Sequence, residues 1–144
     1  MKEITPYLNF DGNCREAMTF YGKVFGVEPQ LLSFAEGPCN VAPEDKGRIM
    51  HARLTKGNVL LMASDAVPGM CAFQPGNNFS MNIDCESMEE IEGLFGALGE
   101  KGSVIMPLAD MFWGAHWGML TDQFGVRWMF NFEKAKQSVG GAGS

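Results

Sequence analysis

The chain reads as eight short strand-like runs and two longer runs with a helical period. In "NCREAMTFYGKVFG", Ala17, Phe20, Tyr21, Val24 and Phe25 fall at i, i+3, i+4, i+7 and i+8, which predicts a helix with one apolar face. Asn13 is placed to cap it, Glu16 completes a capping box, and Gly26 suits a left-handed stop. "SMEEIEGLFGALGEKG" repeats the device. There Ser87 and Glu90 form the box, Ile91, Leu94, Phe95 and Leu98 form the face, and Gly102 is the expected end. Glu89, Glu90 and Glu92 lie near the positive end of that helix dipole. The strands are expected at 4–10, 28–35, 48–55 and 58–64, then at 78–84, 103–109, 116–122 and 126–133. The Gly- and Pro-rich stretches "EGPCNVAPEDKG" and "DAVPGMCAFQPGN" read as loops.

Two halves of the chain are alike. "LNFD" at 8–11 matches "MNID" at 81–84 at an offset of 73, and "GNVLLMAS" from Gly57 matches "GVRWMFNF" from Gly125 at an offset of 68. Each half therefore reads strand, helix, three strands, an internal repeat of one unit. The expected organisation is one domain over 1–134, built from module one (1–66) and module two (77–134), followed by a flexible tail at 135–144.

Side chains along a strand alternate between faces. On this reading Leu8 and Phe10 share a face with Leu60 and Met62 in the first half, and Phe79, Met81 and Ile83 share one with Trp128, Phe130 and Phe132 in the second. That apolar face is the expected seat of the helices, and burying each large side chain there is worth roughly 1.5–3 kcal/mol. Trp128 thus reads as core. The opposite face carries Tyr7, Asn9, Ser80, Asn82, Arg127 and Asn131, with Leu61 and Met129 among them. Buried amides without partners cost roughly 1–3 kcal/mol each, so water, a ligand or a second chain is expected to meet this face, unless it is simply solvent-exposed.

Composition narrows the classes. The 144 residues are 46% hydrophobic and 19% charged, which is the balance of a globular chain. No run approaches the roughly 18 apolar residues that cross a bilayer. The start, "MKEITPYLNF", lacks the features of a secretory signal, so the expectation is a cytoplasmic protein. Cys14, Cys39, Cys71 and Cys85 form no C-x-x-C pair and read as free thiols. The net charge of −6, with Lys and Arg spread along the chain, argues against nucleic acid as a partner.

With these modules in view, the sequence resembles the vicinal oxygen chelate superfamily of glyoxalases, bleomycin-resistance proteins and dioxygenases. It is most similar to the PhnB-like branch, through "PYLNFDGNCREAMTFYGKVFG" and "MPLADMFWGAHWGMLTDQFGVRWMFN". The likeness covers about residues 4–133. It implies an α+β fold in which two βαβββ modules build a cup-shaped, eight-stranded mixed sheet that holds a small molecule, commonly in a homodimer. Metal-using members place four ligands, usually His and Glu, on the first, fourth, fifth and eighth strands. Counted by the repeat, those slots fall on Thr5 (or Pro6), Leu61, Asn78 and Met129. None supplies the imidazole or carboxylate donors that zinc, nickel, iron or manganese require. No metal and no cofactor are therefore expected. The methyltransferase label sometimes attached to PhnB-like proteins finds no Gly-rich strand-to-helix turn suited to a nucleotide-like cofactor.

The stretch "DMFWGAHWG" joins the sixth and seventh strands. Phe112, Trp113 and Trp117 are candidates to stack on a flat or cationic ligand, while Gly114 and Gly118 permit tight backbone; a packed loop closing one end of the fold is the competing reading. His51 and His116 are weak catalytic candidates as acid or base, or structural hydrogen-bonding groups. A metal site that joins both with Asp110 or Asp65 has no support in the spacing. No G-x-S-x-G nucleophile motif is present, and Asp122 in "TDQFG" reads as a turn residue. The leading expectation is a metal-independent small-molecule binding protein that uses Tyr7, Asn9, Ser80, Asn82, Trp113, Trp117, Arg127 and Asn131. The alternative is a superfamily enzyme of lyase, dioxygenase or transferase type, with a displaced metal or histidine acid–base chemistry.

Overall fold

In the computed structural model, which describes residues 1–134, the strand–helix–three-strand pattern forms twice, and the chain divides into two compact units between Gln74 and Pro75. The expected flexible tail, 135–144, lies outside the described residues. The first unit contains β1 (Tyr7–Phe10), α1 (Cys14–Phe25), β2 (Gln30–Ser33), a short 3-10 turn at Pro43–Asp45, β3 (Ile49–Lys56) and β4 (Val59–Asp65). The second contains β5 (Met81–Asp84), α2 (Met88–Leu98), β6 (Ser103–Asp110), β7 (Ala115–Thr121) and β8 (Arg127–Glu133). The eight strands form two four-stranded mixed sheets, ordered β1-β4-β3-β2 and β5-β8-β7-β6, each with one parallel pair (β1 with β4, β5 with β8). This is the expected α+β class. Among the described residues no helix is long and apolar enough to cross a membrane.

In the first unit α1 lies over β3 and β4. Cys14, Ala17, Met18 and Tyr21 of the helix are buried, as are Leu8, Phe10, Ala52, Leu54, Leu61 and Ala63 of the sheet. The faces of β4 are the reverse of those expected from sequence. Leu61 and Ala63 pack under the helix, at 3% and 0% exposure, whereas Leu60 and Met62 are half-buried on the other side. The reason is hairpin length. Two residues, Gly57 and Asn58, join the paired Lys56 and Val59, but five residues separate the paired Thr121 and Arg127. The two turn glycines do share a left-handed backbone, with φ of 56° and 87°. Aligning them nevertheless shifts the strands by three, an odd number, and an odd shift exchanges the faces. Pairing gives the true correspondence: Leu8 stands opposite Ala63 and Met81 opposite Trp128.

The helix ends also differ from expectation in two places. Asn13 makes no side-chain cap; the Asp65 carboxylate takes that role, its Oδ1 accepting from Gly12 N at 2.8 Å and Cys14 N at 3.0 Å. Helix α2 stops at Gly99 rather than Gly102: Gly102 N donates back to Gly99 O at 2.9 Å in the turn that leads to β6, with Lys101 in the left-handed conformation at φ 59°. Gly26, by contrast, ends α1 in the left-handed conformation at φ 73°. Ser87 caps α2 by accepting from Glu90 N at 3.0 Å, and Glu90 Oε1 accepts in return from Glu86 N at 2.7 Å.

In the second unit α2 lies over β8 and β7. Ile91 and Leu98 bury against a sheet face carrying Leu120, Trp128, Phe130 and Phe132, and the Phe95 ring meets Phe130 edge-on at 5.1 Å. Gly118 makes this approach possible: a Cβ there would lie 2.8 Å from Leu108 Cδ2 and 3.0 Å from Phe95 Cε2. Strand β5 starts at Met81, so Phe79, expected on the apolar face, lies before the strand and is exposed.

Candidate functional site

Each sheet has one face under its own helix and a second face that this helix does not touch. On the second unit's sheet the pairing registers place the open-face side chains in rows. Asp84, Asn131, Trp117 and Ala109 form one row across β5, β8, β7 and β6. Asn82, Met129, Met119 and Met106 form the next. Asp84 organises the amides: its Oδ1 accepts from Asn131 Nδ2 at 3.2 Å and from Asn82 Nδ2 at 3.4 Å. Arg127 sits further along β8, where its Nη1 donates to Asn77 O at 2.8 Å and its Nη2 lies 3.6 Å from Met119 Sδ. Its Nε is buried without a partner among the described residues. The structure thus brings Asn82, Trp117, Arg127 and Asn131 onto one face. Ser80 precedes β5 and is half-buried.

Asp84 is not among the residues singled out by the sequence, although the alternation that relates Ser80 to Asn82 continues to it. Its meaning comes from the amides it holds, and β8 is 47 residues away in sequence from the Asp84 it pairs with.

On the first unit's sheet the open face carries Tyr7 and Asn9 beside Met62 and Ser64, with Arg53 and Thr55 on β3. His51, two residues before Arg53 on β3 and opposite Leu32 of β2, shares this face. The Tyr7 hydroxyl and His51 Nδ1 are 3.2 Å apart, with their rings tilted at 40° and centred 5.9 Å apart. Two residues named separately from the sequence are therefore partners.

The three tryptophans have three different settings. Trp113 is 54% exposed in the β6–β7 turn and meets Phe112 edge-on at 5.0 Å; Gly114, at φ 92°, makes that turn. Trp117 is on the open face, and Trp128 is core. His116 stands opposite Phe132, on the helix-side face, so it does not share a face with Trp117. Its Nδ1 lies 2.9 Å from Asp110 Oδ1, which Lys134 Nζ also reaches at 3.0 Å. The His116 hydrogen bond, and then that of Lys134, holds the Asp110 carboxyl below the usual aspartate range.

The metal slots counted from the repeat do not fit a divalent ion. In the first unit Leu61 is under the helix; Thr5 precedes β1. In the second, Asn78 precedes β5 and Met129 is a thioether beside Asn82. Among the described residues no three His, Cys, Asp or Glu side chains gather as a metal would need. Asp65 is occupied with backbone, since its Oδ2 also accepts from Ile49 N at 2.8 Å. The buried thiols are held in the protonated form: burial, with Asp65 adding, pushes Cys14 up to about 12, and burial, with Glu90 and Asp84 adding, pushes Cys85 up to about 11. A groove of about 400 Å³ at the end of α1, lined by Thr19, Lys23, Val27 and Pro29 among others, contains none of the candidate binding or catalytic residues.

Comparison with known proteins agrees with the fold. Residues 2–130 match the family model described as 3-demethylubiquinone-9 3-methyltransferase. The crystal structure of protein PA1353 from Pseudomonas aeruginosa is similar at 45% identity and a TM-score of 0.84, covering 92% of this chain and 98% of that one. A structure described as a putative 3-demethylubiquinone-9 3-methyltransferase, PhnB protein, from Bacillus cereus is similar at 29% identity and a TM-score of 0.68, covering 91% and 99%. A glyoxalase/bleomycin resistance protein/dioxygenase family enzyme from Burkholderia phytofirmans PsJN shares the fold at 17% identity and a TM-score of 0.59, covering 88% and 96%.

Proposed function

Because this chain belongs to the PhnB-like family, with the fold of the vicinal oxygen chelate superfamily, we propose that it is a metal-independent small-molecule binding protein that uses an open sheet face. One observation carries this reading: Asp84 Oδ1 holds the amide of Asn131, in its own row with Trp117, and that of Asn82 in the next row. Polar groups fixed in advance lose little freedom when a ligand arrives, which is how a small site gains affinity. The methionines of the adjacent row supply an adaptable apolar floor. The donor types at the family's metal slots favour binding without an ion.

A second reading, an enzyme with acid–base chemistry, is favoured by the Tyr7–His51 hydrogen bond. A hydroxyl and an imidazole in contact can pass a proton to or from a bound molecule. His51→Gln that leaves turnover unchanged on any substrate found would remove this mechanism. A cytoplasmic location and a homodimeric state are expectations from the sequence and the family, and both are compatible with binding on an open face.

The test is native mass spectrometry with metal analysis on gently purified protein, joined to an amide NMR screen of small organic fragments. The expected result is a chain without stoichiometric metal, and fragment-induced shifts centred on Asn82, Trp117 and Asn131. Stoichiometric nickel, zinc, iron or manganese, or shifts confined to other surfaces, would overturn the proposal.

A further inference from the structure

We propose that the Asp84–Asn131–Trp117 row is a subsite for an organic cation, an amine or quaternary ammonium group carried on a flat apolar body. The inference rests on the binding reading above and names the class of ligand. Adjacent strands lie about 4.8 Å apart, so Asp84 and Trp117, two strands apart with Asn131 between them, are separated by roughly 10 Å. A cationic group placed over Asn131 meets the carboxylate on one side. On the other it lies within the roughly 6 Å of an indole ring at which cation–π attraction operates.

The charge on this face points the same way. Among the described residues no cation pairs with Asp84, whose Oδ1 receives only amide N–H groups. A positive group on the face, Arg127, is four residues from Asn131 along the strand, about 13 Å at the usual rise, and its Nη atoms are engaged with Asn77 O and Met119 Sδ. The row at Asp84 is therefore the anionic end. Beside it, Met129, Met119 and Met106 stand opposite one another on three adjacent strands. Polarisable thioethers accept an aromatic body well. An anionic ligand would meet the carboxylate, and a purely apolar one would leave the amide row unused.

Three naphthalene probes of similar shape separate the possibilities: 1-naphthylmethyl-trimethylammonium, neutral 1-naphthalenemethanol and anionic 1-naphthylacetate, each titrated by calorimetry and amide NMR. The cation is expected to bind about tenfold more tightly than the neutral probe, the difference that ~1.4 kcal/mol makes, with shifts at Asn131 and Trp117. Asp84→Asn keeps an oxygen for both amides and removes only the charge. It should abolish the preference for the cation, so that the cationic and neutral probes bind with the same affinity. Trp117→Leu should weaken the cation as well, with circular dichroism confirming that the variant folds. Equal binding of all three probes on this face, or tighter binding of the anion, overturns the cation subsite while the binding reading stands. No binding by any of the three also overturns the cation subsite, and the fragment screen described above decides the binding reading separately.

Discussion

Trp128 Nε1 donates to Asp122 Oδ2 at 2.8 Å, and both side chains are buried, at 2% and 4% exposure. The other carboxylate oxygen accepts from Phe124 N at 2.8 Å and Val126 N at 3.0 Å, so one aspartate closes the β7–β8 turn and anchors the largest core side chain of β8. Removing it strands several donors at once, and each such group costs about 1–3 kcal/mol when buried. Asp122→Ala is expected to destabilise the protein by about 3 kcal/mol in urea unfolding. Trp128→Phe, which keeps most of the packing, should cost about 2 kcal/mol. A midpoint for Asp122→Ala indistinguishable from the parent would show that the turn stands without it.

Asp65 does the equivalent work in the first unit, accepting from Gly12 N, Cys14 N and Ile49 N. It replaces the cap that the sequence assigns to Asn13. The two substitutions should therefore separate clearly. Asp65→Ala is expected to cost about 3 kcal/mol through its unsatisfied donors, whereas Asn13→Ala should stay within about 0.5 kcal/mol, the range of surface changes that touch no such feature. The reverse order in a thermal or urea series would contradict the assignment.

The four thiols should divide by setting. Cys39 and Cys71 are exposed, Cys14 and Cys85 buried. Iodoacetamide at mildly alkaline pH is expected to modify the first pair in the native protein and the second pair only after denaturation, as peptide mass spectrometry would show.

The same burial makes stability depend on pH. Below the ordinary thiol value near 9, Cys14 is protonated in both the folded and unfolded states and contributes no pH dependence. Above it the unfolded chain releases a proton that the folded chain keeps up to about 12. Stability therefore falls as pH rises from 9, with a limiting slope of about 1.4 kcal/mol per pH unit for each such thiol. Cys14→Ala should flatten this slope relative to the parent. An unchanged slope would assign the alkaline loss to other groups.

Local pattern made much of the fold legible. The apolar period of α1, the Ser87–Glu90 box, the Gly26 stop and the doubled unit all follow from residues close together in sequence. Where the reading went astray, a long-range partner decided. Asp65 caps a helix that begins 51 residues before it. The difference between a two-residue and a five-residue hairpin reversed the faces of Leu60, Leu61, Met62 and Ala63, because hydrophobic residues occupy both sides of β4 and alternation alone has no preference there. In β8, where Arg127 and Asn131 alternate with Trp128 and Phe130, the same logic gave the correct face.

The sequence by itself determined which segments become strands and helices and that the pattern occurs twice. These properties are written in single residues and their near neighbours. Only the tertiary structure decided which groups meet. Asp84 gathers Asn82 and Asn131, Tyr7 joins His51, and the tryptophans take separate roles as turn, face and core. Those pairings depend on the register between strands that lie tens of residues apart, and register is fixed by how the whole sheet packs against its helix.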